Sequence, residues 1–204
     1  MQNHSEIAES LWKIADLKKD DYDAKNYEDV ILPFTLLRRL ECVLHPTRQA
    51  VRKAAEKYKA TPAQTRDALL RKAAGQRFYN ASEYSLDELI KRPADIIPNF
   101  SAYLAGSSSN VKDILYNFSG GEEKGLSPIY ETLTRKRLIL KITQAFSEAD
   151  LSAENVDNHG MGTIFEYLIR KLKEASNESA GQFYTPRDIG VVYRIASTSV
   201  VGSL

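Results

Sequence analysis

The chain has 204 residues, enough to bury a sizeable core in one domain, or in one domain and part of another. A hydrophobic content of 43% and a charged content of 27% exclude disorder as the default. The formal net charge of +1 excludes nucleic-acid binding through overall charge, although a local basic cluster could still supply it. No signal peptide and no apolar run of the ~18 residues that span a membrane are present in the sequence, so we expect a cytoplasmic protein without membrane contact.

Two amphipathic helices are predicted at the start of the chain, because apolar residues recur there at three- and four-residue steps. Asn26 is the predicted cap of the second helix, Pro33 is expected at a kink or near its first turn, and His45 follows its end. The two apolar faces contain Ile7, Leu11, Ile14 and Leu17, and then Val30, Ile31, Phe34, Leu37, Leu40 and Leu44.

Residues 48–77 form a basic segment with nine Lys or Arg residues and two acidic ones. It is predicted to contain one helix to about Lys59 and a second with Thr61 as N-cap, Pro62 as first residue and an end at Gly75. Such residues commonly form a solvated surface, but a face with few acids also attracts DNA phosphates without reading sequence. Both interpretations stay open, and the DNA-binding candidates are Arg48, Arg52, Lys53, Lys57, Lys59, Arg66, Arg71 and Lys72.

Helical patterns continue along the rest of the chain, without an alternating run long enough to predict a sheet before residue 188. Ser85 and Glu88 have the spacing of a capping box, which predicts a short helix that ends before Pro93. Further helices are expected around residues 111–118, 129–145 and 161–172.

Isolated reactive residues do not form a catalytic or metal-binding set. Cys42 lies in an apolar stretch and is interpreted as a buried thiol in a reducing compartment. His4, His45 and His159 lack a second ligand at metal spacing, so no metal site is assigned. The sequence GMG at 160–162 lacks a third glycine and a preceding strand, and it is interpreted as a helix start.

The stretch GQFYTPRD at residues 181–188 combines two aromatic residues with a predicted helix start, in which Thr185 is the N-cap and Pro186 the first residue. Phe183 and Tyr184 could form a wall for a flat or apolar ligand, while a helix start suits a carboxylate. A turn packed into a core is the alternative.

GQFYTPRD, preceded by GMGTIFEYLIR at residues 160–170, resembles the modification (methyltransferase) subunit of type I restriction-modification systems. The segment LWKIADLKKDDYDAKNYEDVILPFTLLRRLECVL at residues 11–44 is similar to the helical N-terminal domain of that family. The resemblance implies a mainly α chain with a helical N-terminal domain over residues 1–150 and a connecting helical region over 151–180. Residues 181–204 would be the truncated start of an α/β, Rossmann-like methyltransferase domain.

The activity that the resemblance implies is transfer of a methyl group from S-adenosylmethionine to N6 of adenine in double-stranded DNA. Implied partners are a specificity subunit, a second modification subunit and, in the full complex, a restriction subunit. The DNA target is read by the specificity subunit. The positions that match the family's cofactor-facing motif are Gln182, Phe183, Tyr184, Thr185, Pro186 and Arg187.

Two motifs of the family are missing from the sequence: a glycine-rich turn that holds the cofactor, and an Asn-Pro-Pro-aromatic loop. The loop is needed because an exocyclic amine is a poor nucleophile whose protons must be accepted while an aromatic ring stacks on the flipped base. Pro98-Asn99-Phe100 has the wrong order. No catalytic residue is therefore assigned. We expect a natural or engineered fragment that is inactive alone, binds no measurable cofactor, and supports DNA clamping and subunit assembly.

Two other classes of function compete with this interpretation. A non-catalytic helical interaction module could use the basic face to bind an acidic protein. A small-molecule-binding helical domain could use the Phe183-Tyr184 wall alone.

Overall fold

A computed structural model describes residues 4–16, 28–117 and 138–177. These residues form nine α-helices and two short 3-10 helices, and they contain no strand, which confirms the mainly α prediction. The helices are α1 His4–Asp16, α2 Glu28–Leu44, a 3-10 helix His45–Thr47, α3 Arg48–Lys57, α4 Ala63–Ala74, α5 Leu86–Ile90, a 3-10 helix Pro93–Asp95, α6 Ile96–Ala105, α7 Ser109–Asn117, α8 Ile139–Ser147 and α9 Asn158–Asn177.

Helix α2 lies at the centre of the core, where it contacts α1, α8 and α9. Phe34 is fully buried, with its ring centroid 5.7 Å from that of Phe100 and 5.4 Å from that of Phe146. Burying one such side chain stabilises a fold by about 1.5–3 kcal/mol. The predicted faces of α1 and α2 are confirmed by the burial of Ile7, Leu11, Ile14, Val30, Ile31, Phe34, Leu37, Leu40 and Leu44, while Leu17 and Asn26 lie outside the described residues.

Three predicted helix-end signals, at Ser85, Gly75 and Thr61, can be compared with the observed caps. Ser85 caps α5, because its hydroxyl accepts a hydrogen bond from the Glu88 amide at 3.2 Å. Gly75 ends α4 with a φ of 62°, a left-handed conformation that favours glycine. The prediction of Thr61 as N-cap was wrong by one residue: Pro62 is the cap, because its extended ψ of 141° keeps it outside the helix.

Other boundaries differ from the predicted ones by a few residues. Helix α3 ends at Lys57, and Pro33 lies inside α2, which continues past it. Helix α9 begins at Asn158, so GMG lies in its first turn, as predicted for a helix start. Of the predicted helix at 129–145, only the part from Leu138 is described, and it is helical from Ile139.

The loop between α4 and α5 is fastened to the turn between α6 and α7. The Ala81 amide donates to the Gly106 carbonyl at 2.8 Å, and the Ser108 amide donates to the Tyr79 carbonyl at 3.0 Å. A Cβ atom on Gly106 would lie 2.6 Å from the Ser82 nitrogen, so the close approach requires glycine. These contacts hold the segment that follows α4 against the turn between α6 and α7.

Arg39 of α2 is a buried cation that holds the loop before α9. Its Nη1 atom donates to the carbonyl oxygens of Leu151 and Val156, both at 2.7 Å, and its Nη2 atom donates to Asn158 Oδ1 at 3.2 Å. The side chain is only 3% exposed, and burial lowers the pKa of Arg39. We call Arg39 and these three acceptors the arginine clamp.

Glu41 is a second buried ionisable group on α2, and it joins three helices. Its carboxylate accepts hydrogen bonds from the Leu86 amide at 3.1 Å and the Tyr103 hydroxyl at 3.0 Å, while Arg38 Nη1 lies 3.7 Å away. Burial raises the pKa of Glu41 despite these contacts, which act in the opposite direction. Burial and the adjacent Glu41 carboxylate also raise the pKa of Tyr103.

The raised pKa of Glu41 predicts a pH dependence of stability. Because its pKa is raised, the Glu41 carboxyl group of the folded state keeps its proton at pH values above 4.5, the ordinary pKa of this group. The stabilisation that comes from this proton is therefore complete below pH 4.5 and is lost as the pH rises through the folded-state pKa of Glu41. In Glu41→Gln the site cannot titrate. We therefore expect the free energy of unfolding of the wild type, minus that of the variant, to fall as the pH rises above about 4.5. Urea unfolding at a series of pH values measures this difference, and a constant or rising difference would contradict the prediction.

Candidate nucleic-acid interface

The basic segment folds into two helices that pack on each other. Val51 and Ala55 of α3 are buried, as are Leu70 and Ala74 of α4. Val51 and Ala74 also belong to the main core, whereas Ala55 and Leu70 do not. We call residues 48–77 the basic hairpin; its base is part of the core, and its far end is packed within the hairpin itself.

Four of the eight predicted DNA-binding residues contact a polar or acidic group of a neighbouring residue. Arg48 is paired with Glu88 and also donates to the Glu83 carbonyl oxygen at 2.7 Å. Arg71 Nε donates to Asp67 Oδ2 at 2.6 Å. The other two are Lys59, which pairs with Glu56, and Arg66, whose Nη2 atom lies 3.3 Å from the Ala55 carbonyl oxygen.

These pairings have an electrostatic consequence for the acids of the hairpin. The hydrogen bond from Arg71 lowers the pKa of Asp67, and the hydrogen bond from Lys59 lowers the pKa of Glu56. Both carboxylates therefore stay ionised near neutral pH and offset the charge of the cation beside them. A phosphate would meet little net charge at either pair.

The other four predicted residues form no ion pair with the part of the chain that the structure describes: Arg52, Lys53, Lys57 and Lys72. Lys53 and Lys57 are exposed, and their four-residue spacing puts them on one face of α3, away from buried Val51 and Ala55. Lys72 is exposed on α4, and Arg52 is half-buried. The Nζ atom of Lys57 lies 5.1 Å from the centroid of the Tyr58 ring. We call these four the available cations.

One cation was left out of the predicted set. Arg77 is exposed at the end of the hairpin and has no described ion pair, while its carbonyl oxygen accepts a hydrogen bond from Asn110 Nδ2 at 3.1 Å. Its position in the basic segment was a signal that could have included it. The positively charged surface of the basic hairpin therefore consists of the available cations together with Arg77.

A cleft of about 410 Å³ lies beside the arginine clamp, and none of the available cations lines it. Its lining carries both charges, with Arg39 opposed by Glu154 and Asp157, so it lacks the positive excess that favours a phosphate. Cys42 contacts the same cleft and is half-buried, and burial raises the pKa of its thiol, which disfavours the reactive thiolate.

No cluster of His, Cys, Asp and Glu suited to a metal occurs within residues 4–16, 28–117 and 138–177. In the same ranges no helix is long and apolar enough to cross a membrane. The predicted cofactor-facing positions, Gln182, Phe183, Tyr184, Thr185, Pro186 and Arg187, lie outside the described residues.

Two models of known protein families match the chain. The family model of the HsdM N-terminal domain matches residues 7–146, and that of N-6 DNA Methylase matches residues 156–200. A search of curated proteins found no match. The first model matches more than half of the chain, and the second follows it in the order expected for a methyltransferase subunit. The chain therefore belongs to the HsdM N-terminal domain family, that of the modification subunits of type I restriction-modification systems.

Proposed function

We propose that this chain is part of a subunit that transfers a methyl group from S-adenosylmethionine to N6 of adenine in double-stranded DNA. The observation that carries the proposal is the order of the two family matches, the HsdM N-terminal domain over residues 7–146 followed by N-6 DNA Methylase over residues 156–200. We further propose the domain limits 1–150, 151–180 and 181–204 for the helical domain, the connecting region and the start of the catalytic domain.

Within that subunit the helical domain is proposed to close around DNA and to support assembly. The available cations support the DNA part, because exposed lysines on a helix attract backbone phosphates without reading bases. Assembly would join the chain to a specificity subunit, a second modification subunit and a restriction subunit in the cytoplasm. Sequence specificity would then belong to the specificity subunit, and the hairpin would contribute affinity.

The cofactor is proposed to meet residues 182–187, where the helix start predicted from the sequence would offer main-chain donors to its carboxylate. S-adenosylmethionine supplies the methyl group in this chemistry. The sequence contains neither the glycine-rich turn nor the Asn-Pro-Pro-aromatic loop, so we propose that the 204-residue chain is inactive alone and binds no measurable cofactor.

One observation favours a second function, a non-catalytic module that binds an acidic protein. Three of the eight predicted cations form ion pairs, and a fourth, Arg66, donates to a carbonyl oxygen, which leaves fewer cations for DNA than the sequence indicates. A protein surface with a few carboxylates could match the remaining cations equally well. Competition between duplex DNA and an acidic protein for the hairpin separates the two functions.

Methyl transfer to adenine tests the proposed function. The full-length subunit, co-expressed with its specificity subunit, is incubated with duplex DNA and radiolabelled S-adenosylmethionine, and the 204-residue chain is assayed in parallel. We expect N6-methyladenine from the complex only. An assembled complex without activity would remove the methyltransferase proposal and favour the interaction module, whereas activity of the short chain would contradict its proposed inactivity.

A further inference from the structure

The far end of the basic hairpin stands clear of the main core. Val51 of α3 belongs to that core, whereas Ala55, one turn further along the helix, is buried outside it. Tyr58 is the C-cap of α3, and at 1.5 Å per residue it lies about 10 Å beyond Val51 along the helix. The turn that joins α3 to α4 is therefore placed to approach a partner before the rest of the hairpin does.

This turn carries little charge. It comprises residues 58–62, sequence YKATP, in which Lys59 is the one charged residue. Glu56 forms an ion pair with Lys59 and offsets its charge. Ala60 and Pro62 are exposed. The hairpin thus has an apolar tip, while the available cations lie on the helices behind it.

Tyr58 is the aromatic residue of the turn, and it differs from the other half-buried tyrosines of the described residues. Tyr79, Tyr84 and Tyr167 pack against the main core, whereas Tyr58 is not among the described residues that do so. The Nζ atom of Lys57 lies 5.1 Å from the centroid of the Tyr58 ring. The ring is therefore held outside the core and beside an exposed cation.

The grooves of duplex DNA can admit the tip of the hairpin but not the whole hairpin end first. Two packed helices are about 20 Å across, because each is about 10–12 Å wide and their axes lie about 8–10 Å apart. The major groove is about 12 Å wide and the minor groove about 6 Å. A hairpin that approaches end first stops at the phosphates, so only side chains of its turn reach the bases. Many proteins that bind the minor groove insert an apolar side chain between base pairs in this way.

We propose that Tyr58 contacts DNA directly: its ring enters a groove and packs against a base step, while the available cations bind the flanking phosphates. The inference rests on the proposed function and adds to it a contact that does not depend on charge. Every base presents a flat face to an aromatic ring, so this contact contributes affinity without reading sequence. That agrees with the proposed role of the specificity subunit.

The test measures binding of a labelled duplex to the 204-residue chain by fluorescence anisotropy, over a series of salt concentrations. We expect Tyr58→Ala to weaken binding about tenfold at every salt concentration, because alanine removes the stacking contact and no cation. The slope of log affinity against log salt should therefore equal that of the wild type. Tyr58→Phe keeps the ring and should bind as the wild type does. Tyr58→Leu keeps an apolar side chain for packing within the hairpin but not the ring, and it should bind as weakly as Tyr58→Ala.

A second readout reports on the bases themselves. In a duplex with 2-aminopurine in place of several adenines, the fluorescence of this base rises when it is unstacked. We expect a rise on binding of the wild type and of Tyr58→Phe, and none with Tyr58→Ala or Tyr58→Leu at concentrations that saturate the duplex.

Tyr167→Ala is the matched control. Tyr167 is also half-buried beside a cation, with the Arg170 Cζ atom 5.4 Å from its ring centroid, but it lies on α9. Its replacement should leave the affinity within twofold of the wild type at a temperature where both are folded.

The outcomes separate this inference from the proposed function. If Tyr58→Ala or Tyr58→Leu, folded by circular dichroism, binds DNA as the wild type does, the inference is overturned and Tyr58 serves only to pack the hairpin. Should Tyr58→Ala fail to fold, Tyr58→Leu decides alone. A wild type that does not bind duplex DNA removes both the proposed DNA role and this inference, whereas salt-dependent binding that is unchanged in the Tyr58 variants removes the inference alone.

Discussion

Replacement of Arg39 by leucine is expected to lower the free energy of unfolding by about 3–5 kcal/mol. Leucine fills part of the volume but donates no hydrogen bond, so the carbonyl oxygens of Leu151 and Val156 and the side-chain oxygen of Asn158 lose their donor. A hydrogen bond to a charged group stabilises by about 1.5–3 kcal/mol, and a buried acceptor left unpaired adds a further penalty. Urea unfolding followed by far-ultraviolet circular dichroism measures the change.

Two variants control for charge and for loss of an arginine side chain. Arg39→Lys keeps the charge but cannot reach all three acceptors, so its stability should lie between those of the wild type and Arg39→Leu. Arg52→Leu removes a half-buried arginine without a described ion pair, and its effect should stay within about 0.5 kcal/mol. A loss below about 1 kcal/mol in Arg39→Leu would show that the loop before α9 does not depend on the clamp.

The clamp also shows where sequence reasoning fails. Burial of Ile7, Leu11 and Ile14 could be predicted, because a repeat of three and four residues sets the face of one helix. The cap at Ser85 and the end at Gly75 were equally local signals. In contrast, the sequence alone would place Arg39 among the charged residues on the exposed side of its helix. Its acceptors lie 112 to 119 residues away, and only tertiary packing brings them to the guanidinium.

The same limit applies to the basic hairpin. In sequence its cations look alike, and their number suggested a broad positive surface. The charge of Arg48 is offset by an ion pair with Glu88, which lies 40 residues further along the chain. The charge of Arg71 is offset by Asp67, four residues earlier on the same helix, and helix geometry could have predicted this pair. The position of the basic segment could thus be predicted from the sequence. Which of its cations are left without an ion pair could be seen only from the three-dimensional structure.

The triple variant Lys53→Ala/Lys57→Ala/Lys72→Ala is expected to weaken binding of duplex DNA on the order of 10²-fold at about 0.1 M salt. Each lysine that neutralises a phosphate releases about 0.9 counterion, so the slope of log affinity against log salt should decrease by about 2.7. Fluorescence anisotropy with a labelled duplex, over a series of salt concentrations, gives both values. Because these lysines are exposed, the variant should fold as the wild type does.

A second triple variant distinguishes DNA binding through the hairpin lysines from DNA attraction by the overall net charge. Lys13→Ala/Lys91→Ala/Lys141→Ala removes the same charge from exposed lysines outside the hairpin. If the available cations contact phosphates, this variant keeps the wild-type salt slope, since counterion release depends on charges placed against the DNA backbone. Equal losses in both triples would mean that overall charge alone drives association. If the Lys53→Ala/Lys57→Ala/Lys72→Ala variant binds DNA as the wild type does, the surface that these lysines form is better explained as a binding site for an acidic protein.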